Sequence, residues 1–116
     1  MANVISVETA PHYVWGGNCD GWRLVRSDEL SVIQERVPPG GQETRHHHGR
    51  ARQFFFVLAG EAVLELESER HVLRAQTGLE VPPGAPHQLR NESAQHVVVL
   101  VVSQPPAQGD RVNAPG

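Results

Sequence analysis

Apolar and polar residues alternate along this chain in a series of short stretches. In residues 62–67, leucines alternate with glutamates, and residues 97–102 form the longest apolar run. Alternation with period two is typical of a strand with one face in the core. Turns rich in proline and glycine, such as residues 38–41 and 82–84, separate the stretches. The pattern therefore predicts an all-β protein built from many short strands.

The alternation and the turn signals together give the predicted elements. We expect strands over residues 22–25, 30–37, 44–48, 53–58, 62–67, 71–74, 79–81, 86–90 and 96–102. The first 20 residues are ambiguous, although residues 12–15 are compatible with a short strand. No segment has a convincing helical period. The tail, residues 103–116, is rich in Pro, Gln and Gly, and we expect it to be irregular.

Composition and charge narrow the class of protein. A chain of 116 residues suits one domain, residues 1–116, and closing or pairing its sheets would remove exposed strand edges. The net charge of -3 argues against a nucleic-acid partner. No apolar run is long enough to span a membrane, and the N-terminus lacks a signal-peptide pattern. Cys19 is the only cysteine, which fits a reducing compartment, so we expect a cytoplasmic protein.

Histidines and a glutamine carry the candidate chemistry. On a strand, side chains alternate between faces, so His46 and His48 point to the same side. Gln53 begins the next predicted strand, and it faces both histidines if the turn at residues 49–50 folds that strand back. His87 is a further candidate group later in the chain. Imidazole nitrogen suits Zn, Fe, Ni and Cu, so the pattern indicates a metal site.

Two stretches resemble the two motifs of the cupin family. The first has the spacing Gly40, five residues, His46, one residue, His48, four residues, Gln53, six residues and Gly60. The second is Pro82, one residue, Gly84, two residues, His87, three residues and Asn91. The family has glutamate at the position of Gln53, and usually glycine at the position of Gln76. Both motifs occur in order and with a short spacer, so the resemblance covers most of the chain.

The resemblance implies both a fold and a site. The fold would be a double-stranded β-helix, or jelly-roll cupin barrel, with core motifs at residues 40–60 and 76–91. The site would hold one divalent metal ion, with the ligands His46, His48, Gln53 and His87. The metal remains open among Zn, Fe, Mn, Ni and Cu. Gln53 could instead orient a ligand without touching the metal. A homodimer is also implied by the habit of the family.

The glutamine at position 53 bears on the type of reaction. A dication held by neutral ligands keeps its full charge, which favours Lewis-acid chemistry and disfavours oxidation of the metal. We therefore expect an isomerase or lyase acting on a small oxygenated substrate, such as a sugar or uronic acid derivative. Small cupins acting on unsaturated uronic acids are similar in this ligand set, but they also use an aspartate on the last strand. Residues 96–103 contain no carboxylate, so only the metal set carries over.

Other functions and other side chains remain open at this point. The alternatives to the Lewis-acid enzyme are a metal-dependent dioxygenase and a non-enzymatic module that binds a small molecule. On the strand at residues 30–37, one parity turns Arg36 inward and the other turns Glu35 inward, and both residues could instead lie on the solvent face. An inward Glu35 would be a general-base candidate, and an inward Arg36 would bind an anionic substrate. By alternation, Phe55 and Val57 share the face of Gln53 and line the cavity.

Overall fold

The computed structural model of the protein describes residues 3–114, and eleven strands account for its regular structure. These strands are β1 (His12–Trp15), β2 (Cys19–Arg26), β3 (Ser31–Val37), β4 (His46–His48), β5 (Arg52–Ala59), β6 (Glu61–Leu66), β7 (Glu69–Arg74), β8 (Gly78–Val81), β9 (His87–Arg90), β10 (Val97–Gln104) and β11 (Arg111–Asn113). Within the described part of the chain there is no helix. The all-β prediction is confirmed, and the short strand at residues 12–15 is present as β1.

The strands form two antiparallel sheets. The larger sheet has six strands in the order β1-β2-β3-β10-β5-β8, and the smaller sheet has five in the order β11-β4-β9-β6-β7. Strands that are distant in sequence lie side by side in both sheets, as in a jelly roll. The two sheets bury their inner faces against each other, which gives the double-stranded β-helix that the resemblance to cupins implies.

The core follows from the period-two pattern. On β10, alternate residues from Val97 to Ser103 are buried, while the residues between them are partly exposed. On β5, Phe55 and Val57 are 2% and 0% exposed, as expected from their parity with Gln53. Phe54, on the outer face of the same strand, is 40% exposed. The inner face of the larger sheet is therefore apolar over most of its length, and polar at the end that holds Gln53 and Ser103.

Gly60 marks the point where the chain leaves the larger sheet for the smaller one. Its φ is +84°, a conformation that side chains strain, and an added Cβ would lie 2.5 Å from the carbonyl oxygen of His96. Both the backbone angle and the close approach require glycine at this position. The last position of the first motif is therefore explained by the turn between β5 and β6.

The strands on either side of the turn at residues 49–50 do not pair with each other. β4 pairs with β9 and β11 in the smaller sheet, whereas β5 pairs with β8 and β10 in the larger one. The turn thus carries the chain from one sheet to the other instead of closing a hairpin. Gln53 consequently lies on the opposite sheet from His46 and His48, and not beside them on a neighbouring strand.

The prediction that residues 103–116 are irregular is wrong for two parts of that segment. Ser103 and Gln104 complete β10, and Arg111–Asn113 form β11, which pairs with β4. Composition predicted no structure because the tail has few apolar residues. An edge strand, however, is held mainly by backbone hydrogen bonds, which composition does not report. Residues 115 and 116 lie outside the described range.

Two further expectations concern membrane-spanning segments and the oligomeric state. Among residues 3–114, the structure contains no helix with the length and hydropathy needed to cross a lipid bilayer. The homodimer stays a prediction. The stacked rings of Phe54 and Phe56, whose centroids are 6.0 Å apart, are the aromatic pair on the outer face of β5.

Candidate metal centre

Three buried histidines meet on the smaller sheet. His46 on β4 lies directly opposite His87 on β9, and His48 follows two residues further along β4 on the same face. One ring nitrogen from each histidine lies within 4.8 Å of the other two. The three side chains are 1–6% exposed, so protein surrounds them. This histidine cluster (His46, His48 and His87) could hold one metal ion.

Hydrogen bonds to backbone carbonyls fix two of the three rings. The Nδ1 atom of His46 lies 2.6 Å from the carbonyl oxygen of Thr44, and Nδ1 of His87 lies 3.0 Å from that of Ala85. A carbonyl can only accept, so Nδ1 must donate in both rings, and Nε2 carries the lone pair. Nε2 of His87 is buried and has no partner among the described residues. Both rings therefore present Nε2 as a free donor for a metal.

Asp110 fixes the third ring. Its Oδ1 accepts a hydrogen bond from Nδ1 of His48 at 2.8 Å, and its Oδ2 accepts from the backbone N–H groups of Arg50 and Ala51 at 3.0 Å each. A carboxylate on the outer nitrogen of a histidine sets the tautomer and makes the ligating nitrogen more basic. Sequence reasoning missed this residue because it lies in the tail. The available signal was that Asp110 is the only acidic residue in residues 103–116.

The protonation state of the cluster suits metal binding. Burial lowers the pKa of His46 to about 4, although the hydrogen bond to Thr44 acts in the opposite direction. Burial likewise lowers the pKa of His87. Both rings are therefore neutral at pH 7, and no proton competes with a cation for their lone pairs. The pKa of Asp110 is also lowered: burial acts to raise it, but the hydrogen bonds from Arg50, Ala51 and His48 outweigh that effect.

Gln53 adds an oxygen donor from the opposite sheet. Its side chain is 7% exposed, and its Nε2 donates to the hydroxyl of Ser103 at 3.0 Å. Its Oε1 is buried and has no partner among the described residues. Phe55, on the same face of β5, packs edge-on against His87 with ring centroids 5.7 Å apart. The inner face of β5 thus turns towards the cluster, and the unpartnered atoms of Gln53 and His87 fit a divalent cation.

The two candidate residues of β3 lie on opposite faces. Arg36 is on the outer face, where its Nε donates to Asp20 at 3.0 Å. Glu35 shares the inner face with the fully buried Val37. Its side chain is half-buried and has no hydrogen-bond or ion-pair partner among residues 3–114. Burial, followed by the charge of Glu43, raises the pKa of Glu35 to about 8.

Glu43 is a second interior carboxyl, which sequence reasoning did not find. Its Oε1 accepts a hydrogen bond from the backbone N–H of Leu89 at 2.9 Å. Burial raises its pKa to about 7, although this hydrogen bond and the charge of Arg111 act to lower it. Glu43 precedes the strand predicted over residues 44–48. The alternation pattern therefore did not assign its side chain to either face of a strand. Two carboxyl groups that hold protons near neutral pH therefore face the same interior.

Comparison with known proteins gives the family context of this site. The model of a family described as "Cupin domain" matches residues 33–103, which include all four candidate ligands. An uncharacterised protein of Methanocaldococcus jannaschii is 25% identical over 83 residues, covering 72% of this chain and 66% of that protein. The polyketide synthase CurC of Streptomyces cyaneus is 34% identical over 53 residues, covering 46% and 34% of the two chains. The chain thus matches less than two thirds of the length of these relatives.

Solved structures share the fold at low sequence identity. The polyketide cyclase RemF of Streptomyces resistomycificus has a TM-score of 0.86 at 18% identity, covering 100% of this chain and 87% of that one. KdgF of a Halomonas species has a TM-score of 0.80 at 18% identity, covering 93% and 97%. A sugar phosphate isomerase of Silicibacter pomeroyi has a TM-score of 0.78 at 21% identity, covering 88% and 75%. At these identities the likeness concerns the fold alone.

Proposed function

The chain belongs to the cupin family, and we propose that it is an enzyme that binds one divalent metal ion through His46, His48, His87 and Gln53. One observation carries the proposal: the three rings of the histidine cluster lie together with their outward nitrogens already hydrogen-bonded, and Gln53, on the inner face of β5, has a buried amide oxygen without a partner among residues 3–114. In three rings Nδ1 is committed to an oxygen acceptor, and in Gln53 the nitrogen is committed to Ser103. Two of the remaining donor atoms, Nε2 of His87 and Oε1 of Gln53, are buried and have no partner within residues 3–114.

The neutral ligand set supports Lewis-acid chemistry. When bound, a divalent cation in such a site would polarise a hydroxyl, carbonyl or carboxylate oxygen of a small substrate. Among residues 3–114, the carboxylate that is hydrogen-bonded to a ligand ring is that of Asp110, which lies behind His48. The protein therefore supports the ligands with a carboxylate without adding its charge to the first coordination sphere. A sugar or uronic acid derivative that isomerises or eliminates is the substrate type we propose.

Glu35 provides a carboxyl group for proton transfer, at the inward-facing position of β3 that follows Ile33. Ile33 stands in the register row of Val101 and Phe55, and Phe55 packs against His87. Glu35 is the next inward residue on β3, roughly 7 Å further along the strand. With a pKa of about 8 and no hydrogen-bond partner in the described part of the chain, its carboxyl holds a proton at neutral pH and exchanges it easily. We propose Glu35 as the general acid or base of the reaction.

Elemental analysis tests the metal proposal. Protein purified without an affinity tag or chelator should contain about one equivalent of metal per chain. His87→Ala should lose the metal while circular dichroism shows a retained fold. His96→Ala, which removes an exposed histidine outside the cluster, is the matched control and should keep the metal. A fully metallated His87→Ala protein would show that the ligand assignment is wrong.

Oxygen uptake separates the proposed reaction from the two alternatives. A Lewis-acid isomerase or lyase turns over without consuming oxygen, whereas a dioxygenase consumes it in proportion to product. A binding module would bind the substrate and yield no product. The similarity to the polyketide synthase CurC gives a reason to include polyketides beside sugar acids in the substrate panel.

A further inference from the structure

A cavity of about 550 Å³ opens at the end of the barrel where β3 begins. Three arginines line it: Arg23 and Arg26 on β2, and Arg50 in the turn after β4. Ser27, Asp28 and Ser31 line it as well, and the tail contributes a further wall through Pro105, Pro106, Gln108, Gly109 and Asp110. We call this cavity the arginine pocket.

The charge of the arginine pocket is unbalanced. The side chains of Arg26 and Arg50 have no hydrogen-bond or ion-pair partner among residues 3–114. Of the two carboxylates on the wall, Asp110 already uses both oxygens for His48 and for backbone N–H groups. Asp28 is exposed on the loop. Guanidinium groups that converge without acceptors of their own leave a place for an anion.

Arg23 is held in a fixed position at the inner side of the pocket. Its guanidinium carbon lies 4.6 Å from the centre of the Tyr13 ring. With its amide oxygen turned towards Arg23, Gln108 accepts from both terminal nitrogens at 2.9 and 3.1 Å. This half-buried guanidinium is therefore ordered before any ligand arrives, which lowers the entropy cost of binding.

Two short connections join the arginine pocket to the metal centre. Ser31, on the wall, pairs in register with Ser103, whose hydroxyl accepts from the amide of Gln53. Asp110, also on the wall, accepts from the ring of His48. A molecule in this pocket would therefore touch Asp110, which holds His48, and Ser31, whose strand partner Ser103 holds Gln53. These two proposed ligands belong to opposite sheets.

We propose that the arginine pocket binds the anionic group, a carboxylate or a phosphate, of the small molecule on which the metal centre acts. This inference rests on the proposed function, because it takes the bound molecule to be the substrate of that enzyme. Binding of the anion does not itself require a metal. Arginine suits both anions because its planar fork can donate two parallel hydrogen bonds to either. The substrate class narrows from an oxygenated molecule to an acidic one, such as a sugar acid or a sugar phosphate.

Calorimetry with three sugars tests the inference on the metal-loaded protein. D-glucose, D-glucuronate and D-glucose 6-phosphate share a ring and differ in charge. We expect at least one of the two anions to bind about tenfold more tightly than glucose. The double variant Arg26→Ala/Arg50→Ala should lose this preference while keeping its metal, and Arg26→Lys/Arg50→Lys should recover part of it. Arg74→Ala removes an exposed arginine on β7 and should change nothing.

The His87→Ala variant and chelator-treated wild-type protein separate this inference from the metal proposal. Inorganic phosphate and glucuronate should still bind to both, because the arginines remain. If anion binding disappears with the metal, the anion was bound to the metal and the inference is overturned, while the metal proposal stands. Equal affinity for all three sugars, no binding at millimolar concentrations, or a preference that survives in the double alanine variant would also overturn it. Wild-type protein that lacks metal and still prefers the anions would reject only the proposed function.

Discussion

The carboxylate of Asp110 accepts a hydrogen bond from the ring of His48 at 2.8 Å, although 62 positions separate the two residues in sequence. The same carboxylate binds the backbone of the turn at residues 50 and 51, where the chain passes between the sheets. One tail residue therefore sets the tautomer of a proposed ligand and fixes the turn that precedes Gln53. This connection makes the tail part of the candidate metal centre.

We expect Asp110→Asn to weaken metal binding about 10- to 100-fold. The amide keeps the size of the side chain but removes the charge, and it can no longer accept hydrogen bonds on both sides. Affinity measured by competition with a metal-binding dye gives the result. Asp28→Asn, which removes an exposed carboxylate from the same end of the barrel, should have little effect. An unchanged affinity in Asp110→Asn would mean that Asp110 does not support the ligand.

The Gln53→Glu variant is expected to bind metal more tightly and to turn over more slowly. Carboxylate is a better donor than an amide oxygen, but its charge lowers the Lewis acidity of the bound cation. Metal affinity and kcat should therefore change in opposite directions. Ser103→Ala is a useful comparison, because it keeps the amide and removes the hydroxyl that holds it. A rate in Gln53→Glu equal to or above that of the wild type would contradict the Lewis-acid interpretation.

The interior carboxyl of Glu35 predicts a stability that falls as pH rises. Burial raises its pKa from the ordinary 4.5 to about 8 in the folded protein. The folded state therefore retains a proton that the unfolded state releases, and the contribution is full below about pH 4.5 and lost progressively up to about pH 8. Glu35→Gln should remove this loss, so the variant gains stability relative to the wild type between pH 5 and 8.

Urea unfolding of both proteins across this range measures the difference. Glu29→Gln, at an exposed position, is the control and should run parallel to the wild type. If the difference between Glu35→Gln and the wild type does not change with pH, the carboxyl does not hold its proton in the folded state.

Gly60→Ala should destabilise the fold by more than about 1–2 kcal/mol, the cost of a left-handed conformation for a residue with a side chain. The added Cβ would also meet the carbonyl oxygen of His96 at 2.5 Å, and that oxygen belongs to the backbone and cannot turn away. Gly49→Ala is the matched control, because an added Cβ there has no atom within 4 Å. Thermal unfolding of the two variants should differ clearly, and equal melting temperatures would contradict the role of Gly60.

The sequence was sufficient to predict the features that depend on the local pattern of residues. Alternation put His46 and His48 on one face, and the spacing of both motifs located Gln53 and His87. Alternation could not say which face of β3 was inward, because Glu35 and Arg36 are both polar and the strand is partly exposed on both sides. The side of Glu35 became clear only from its register with the buried rows of β10.

The alternation of apolar and polar residues does not predict contacts between segments that are distant in sequence. In the sequence, Ser103 only marks the end of an apolar run. Its hydrogen bond with Gln53 forms because β5 pairs with β10. Asp110 lies in a segment with few apolar residues, and only the pairing of β11 with β4 brings it to His48. Gln53 would face the histidines across a hairpin if the turn at residues 49–50 folded the strand back, but β4 and β5 belong to different sheets, so Gln53 lies on the other sheet.

Anomalous diffraction from a crystal of the metal-loaded protein tests the metal centre most directly. We predict one peak at the absorption edge of the metal, bounded by the Nε2 atoms of His46, His48 and His87 and by Oε1 of Gln53. For zinc the nitrogen distances should be about 2.0–2.1 Å. A peak bounded by the three histidines alone would remove Gln53 from the ligand set. The absence of a peak between the three histidines in protein that has been loaded with metal would contradict the account.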